Sequence, residues 1–157
     1  MAALPSSPDT LIRYNEWANT RWLDSLRVRP DLSAHTQDLF THLLAVEDAW
    51  VRRLRGQAVS NFEWWPSLTW EECATLVARN ADAYQTFIDT HEEAALDAPL
   101  SYTDASGSDR TILVRDALTH VVTHSHYHRG QVAQSVRAQG FDPVNTDLTA
   151  FIQQRST

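Results

Sequence analysis

The sequence predicts an all-α fold, a four-helix bundle, and three observations carry that prediction. Four long stretches repeat their apolar residues at helical spacing. Capping and breaking residues punctuate those stretches where helices should begin and end. The β-prone residues gather in one short piece, residues 100–112, just before the last long helix. Helices with one apolar face must bury it against each other, and four of them make a bundle. The 157 residues suit a single domain, 1–157, with its own core, and show no repeat, low-complexity segment or linker.

The first helix opens at Ser7-Pro8, a cap followed by a proline at the first helical position. Leu11, Tyr14, Ala18, Trp22 and Leu26 follow on one face, and Pro30 closes the segment. Asp31 or Ser33 caps the second helix, which carries Leu39, Leu43, Val46, Trp50 and Leu54 and ends near Gly56. Residues 57–68 have no period and read as a loop. Thr69 and Glu72 form a capping-box pattern that starts the third helix, with Trp70, Cys73, Val77, Tyr84 and Phe87 along it. Residues 100–112 read as a small hairpin around a turn-rich centre. The fourth helix runs from about Leu113 to Gly140, a suitable residue just past a helix end. A short final helix begins at Asn145 or Thr146.

Composition excludes some functions. The formal net charge is −7, and all 13 bases are arginine. A net-acidic chain lacks the dense positive patch that non-specific nucleic-acid binding needs, so no nucleic-acid partner is expected. No apolar run is long enough to span a bilayer, so no membrane role is expected either. One cysteine, Cys73, and no leader-like N-terminus lead to the expectation of a cytoplasmic protein. Cys73 falls on the apolar side of its helix and reads as core.

Four of the seven histidines crowd into "HVVTHSHYHRGQ", residues 120–131. At about 100° per residue, Val114, Ala117, Leu118, Val121, Val132 and Val136 define an apolar stripe on the fourth helix. His128 falls close to its centre, His124 on one flank, His120 further round, and His126 nearly opposite. Imidazoles in core positions must be hydrogen-bonded or ligated. His124 and His128 are i, i+4 neighbours and can reach one ion. His120 and His128 lie roughly 12 Å apart along the axis, too far to share one easily. His124 is therefore the secure member, and His120 competes with His128 for second place. His42 on the second helix, beside the small Ala45 and Ala49, is the candidate third ligand; His35 and His91 sit at helix ends.

Around these residues, Glu47 and Asp48 read more readily as a polar face than as partners of a site. Arg129 can brace the site through a carboxylate or cap local structure. Gln131, on the His124 side, can orient a ligand ring. Phe62, Trp64 and Trp65 read as the wall of a substrate pocket or of a dimer interface, or, in the first place, as packing residues. Ser125 is next to His124 in sequence but does not share its face. No nucleophile elbow or phosphate loop is present, so no catalytic residue is assigned.

These residues resemble the DinB/YfiT-like, DNA-damage-inducible family of metal-binding four-helix proteins. The resemblance rests on "HLLAVEDAW" in the second helix and "HSHYHRGQ" in the fourth. It extends through "YNEWANTRWLDSL" and "QGFDPVNTDLTAFI", nearly the whole chain. It implies an up-down-down-up bundle with a long connection, often a homodimer. It also implies a metal triad at His42, His124 and His128, with His120 a companion and not a ligand. Three neutral imidazoles leave a divalent ion with open positions; zinc is the usual occupant and nickel a common substitute. Such an ion lowers the pKa of a water or thiol. The expected function is a thiol-dependent transferase acting on a small-molecule substrate with a low-molecular-weight thiol, or a metal-dependent hydrolase. The alternative is a non-enzymatic metal-binding protein of a stress response.

Overall fold

The computed structural model describes residues 7–155. Its elements in chain order are α1 (Pro8–Leu26), α2 (Ala34–Leu54), α3 (Trp70–Thr90), a single 3₁₀ segment (Glu93–Asp97), β1 (Pro99–Thr103), β2 (Asp109–Leu113), α4 (Val114–Ala138) and α5 (Leu148–Arg155). The all-α reading holds, with one small hairpin as the exception. Ser7 accepts from the Thr10 amide and Ser33, rather than Asp31, accepts from the Thr36 amide. Thr69 and Glu72 close the capping box from both sides. Each such cap stabilises its helix by about 1 kcal/mol. Gly56 and Gly140 stand just past α2 and α4 at φ 70° and 84°, where an L side chain would be strained.

The start of α4 falls where the sequence places it, and the start of α5 comes later. α4 has no side-chain cap: β2 runs straight into it, and the Val114 amide donates to the Ala98 carbonyl. α5 begins at Leu148, because Asn145 turns back to accept from the Asp147 amide and the Asp147 carbonyl opens the helix. The 3₁₀ segment went unread in the sequence.

α1 and α2 lie diagonally across the bundle, each packed beside both α3 and α4. Cross-helix bonds give the directions. Thr36 bonds Ser135 near one end of the α2–α4 pair, and Trp50 meets His120 near the other, so these helices are antiparallel. Asn80 reaches Leu44 and Tyr84 reaches Glu47, so α2 and α3 run parallel. Tyr14 and Ala18 share a cluster with Leu118 and Val121, and Trp22 and Leu26 share one with Val132 and Val136, so α1 and α4 also run parallel. The result is up-down-down-up.

Parallel α2 and α3 require the intervening loop to travel the length of the bundle. It does so as a strap along α2. The carbonyls of Trp64, Pro66 and Leu68 meet the side chains of His42, Thr41 and Gln37 in turn, retracing the helix. Asn61 takes φ 54° within this strap, a conformation asparagine tolerates.

The core has two apolar clusters. One holds Tyr14, Ala18, Trp50, Leu118, Val121 and Phe151; the other holds Trp22, Leu26, Phe40, Leu43, Leu44, Val132 and Val136. Between them lie five buried polar side chains: Asn15, Asn19, Glu47, Ser125 and Arg129. No helix among the described residues is long and apolar enough to cross a membrane.

Candidate metal centre

His42 comes from the middle of α2, and His124 and His128 from successive turns of α4. Because these helices are antiparallel neighbours, all three rings meet in one place. Ring centroids are 5.5 Å apart for His42–His124, 4.7 Å for His42–His128 and 4.5 Å for His124–His128. One nitrogen from each lies within 4.8 Å of the others, a group that could hold a metal ion. His42 and His128 are 8% and 9% exposed, and His124 is half-buried.

Two of the rings are oriented from behind. His42 Nδ1 lies 2.6 Å from the Trp64 carbonyl oxygen. A carbonyl only accepts, so Nδ1 carries the proton and Nε2 keeps its lone pair. His128 Nδ1 lies 2.6 Å from Gln131 Oε1, which as oriented accepts in the same manner. Gln131 thus serves His128, one turn away, although its helical position is on the His124 side. The third ring differs: His124 Nδ1 is buried with no hydrogen-bond partner among the described residues. A buried nitrogen left without a partner is the observation a cation would answer.

Burial also favours the neutral form of His42 and His124, as ligation requires. The His124 pKa is pushed down to about 3, first by desolvation and then by His128, His42 and His120. Desolvation lowers that of His42 too, against the opposing bond to Trp64. The residues present therefore fit a divalent ion: three imidazole nitrogens within reach of one another, two rings oriented from behind and one orphaned atom.

His120 is exposed and lies outside the group; its ring meets the Trp50 edge at 5.2 Å. Between His120 and His128, the geometry brings His128 to His42. His126 is exposed, yet its Nδ1 lies 3.1 Å from the Tyr14 hydroxyl, tying α4 to α1. His35 is exposed, and His91 stacks on Phe87 at the end of α3. Cys73 is fully buried, and burial pushes its thiol up to about 12.

Three readings of neighbouring residues need correction. Glu47 and Asp48 are not a solvated face. Glu47 is 2% exposed, and its Oε1 accepts from Asn15 at 2.7 Å, Asn19 at 2.8 Å and Ser125 at 2.6 Å. Asp48 is paired with Arg52 and Arg79, both at 3.0 Å. Arg129 is no cap: it is buried in the same belt, donating to Asn15 and Asn19 at 2.6 and 2.7 Å. Nor are the loop aromatics packing alone. Trp64 orients His42 through its carbonyl, and Trp65 stacks on the His42 ring at 3.8 Å and 7° while remaining 52% exposed.

The model of the DinB family matches residues 4–156. The chain belongs to the DinB family. It is also similar to "Protein DinB" of Bacillus subtilis (strain 168), at 24% identity over 94% of this chain and 94% of that one. In this DinB-family chain the three histidines of the cluster fall where the two motifs of α2 and α4 place them.

Proposed function

We propose that this DinB-family chain is a metal-dependent enzyme of the cytoplasm, in the first place a transferase that joins a small thiol to an electrophilic substrate. Metal-assisted hydrolysis is the next reading. The observation that carries the proposal is the open three-histidine set, with two of its rings held from behind and no fourth protein ligand in the group. A zinc or nickel ion there would act as a Lewis acid and bring the pKa of a thiol or water toward neutrality.

The chain's own residues supply the rest. Trp64 and Gln131 hold two rings in the required tautomer. Trp65 and Tyr127, 52% and 64% exposed, stand against His42 and His128 and form an aromatic rim at the solvent side. Such a rim shields the site from water and offers apolar surface to a small substrate. A purely stapling role for the ion is disfavoured, because Glu47–Ser125 and Thr36–Ser135 already tie α2 to α4.

The test is a panel of electrophiles offered with several small thiols to protein stripped by chelator and then reloaded with zinc or nickel. The proposal expects thiol consumption that needs the metal and disappears in His124→Ala. Consumption at equal rates with and without metal would count against it.

A further inference from the structure

Beside the metal centre lies a second feature that the three histidines do not explain. A cavity of about 580 Å³ opens between the strap that follows α2 and the β1–β2 hairpin. Arg53, Phe62, Trp64, Tyr102 and Asp104 are among its lining.

Arg53 is the unusual member. It is 6% exposed and forms no ion pair among the described residues. Its guanidinium is caged by the rings of Trp50, Tyr102 and Trp64, at 4.6, 4.7 and 5.6 Å. Nη2 donates to the Thr103 carbonyl at 3.0 Å. Nε is buried without a partner, and Nη1 makes no hydrogen bond to the described residues. The cage fixes and desolvates a permanent cation but supplies no counter-charge. The one acid in the lining, Asp104, is already engaged by Ser106, Arg110 and Ser108.

We propose that this cavity is a binding subsite for a small organic carboxylate, held by Arg53 and flanked by Trp64 and Phe62. A desolvated guanidinium with free N–H groups is matched to a carboxylate, and aromatic walls suit an apolar body beside it. The subsite adjoins the histidine cluster through one residue: Trp64 lines the cavity and orients His42 with its carbonyl. The inference therefore extends the proposed function, giving the substrate or its thiol a carboxylate, although the binding itself does not depend on the reaction.

The experiment is a calorimetric titration of benzoate, with benzamide as its uncharged analogue, into metal-free and zinc-loaded protein. Benzoate is expected to bind both forms, and benzamide about tenfold or more weakly. Arg53→Met is expected to weaken benzoate binding by about tenfold or more, with unchanged far-UV circular dichroism and zinc uptake. Absence of benzoate binding, or wild-type affinity in Arg53→Met, overturns the proposal. So does binding seen only with zinc, since the ion would then hold the carboxylate. Should Arg53→Met fail to fold, wild-type NMR decides. Shifts at the Thr103 amide and the Trp64 indole support the subsite; shifts confined to His42, His124 and His128 overturn it. Wild-type protein that takes up zinc but binds no benzoate strikes only the subsite, and wild-type protein that binds benzoate but takes up no zinc strikes only the metal reading.

Discussion

α2 and α4 meet through two polar groups that differ in one respect. In the belt of Asn15, Asn19, Glu47, Ser125 and Arg129, the hydrogen bonds run among the members themselves, with Arg129 Nε and Nη2 left buried without a partner among the described residues. Three donors converge on Glu47 Oε1, and both asparagine oxygens accept from Arg129 Nη1. In the histidine cluster, a few residues along the same helices, the bonds lead outward. Trp64 and Gln131 take up the protons behind two rings, and His124 Nδ1 has no partner. A buried polar group whose bonds run among its own members, from one helix to the next, holds a fold together. One that leaves its lone pairs converging on shared space is built for something that is not protein.

This contrast predicts opposite responses to substitution. The largest effect belongs to the belt. Glu47→Ala leaves three donors without their acceptor and the buried Arg129 charge without its neighbouring carboxylate, and should cost about 3–5 kcal/mol of stability. Urea denaturation of metal-free protein measures it, and a loss below about 1 kcal/mol would erase the distinction between the two groups. Next comes the cluster. His124→Ala should hardly change metal-free stability, since it removes a nitrogen that has no partner. It should instead abolish the stabilisation by zinc, about 2.7 kcal/mol at a hundredfold excess over Kd, read as a missing rise in Tm. An unchanged zinc-induced rise in that variant would break the comparison from the other side.

A smaller effect is expected one step outward. Gln131→Ala should weaken zinc binding about 10–100-fold by freeing the His128 ring, and leave urea midpoints where they were. Competition with a coloured chelator reads the affinity. The smallest expectation is a null. The Cys73 thiol, pushed up to about 12, should remain protonated and unlabelled by a thiol reagent near pH 8 until the protein unfolds. Labelling of native protein would mean that the α3 packing is looser than described.

How much of this could be read in advance depended on how local the signal was. Helices are local: Ser7, Ser33 and the Thr69–Glu72 box act within one turn, so their sequence patterns led to the right elements. The strap along α2 was legible only as a loop, because its course is set by Gln37, Thr41 and His42, more than twenty residues earlier. The His124–His128 pair announced itself by spacing. Glu47 did not, yet a signal was present. It stands four residues after Leu43 and three before Trp50, on the inward stripe of α2, where an acid must find donors. Ser125 and Arg129 continue the Val121 stripe of α4 in the same way. Reading each stripe for its polar interruptions, as well as its apolar members, would have revealed the belt.

The central claim is that His42, His124 and His128 form one ion site, and a zinc titration of metal-free protein tests it most directly. The account predicts one ion per chain for the wild type, and loss of that binding in both His42→Ala and His124→Ala while each remains folded. Equal zinc uptake by the wild type and both variants would contradict it.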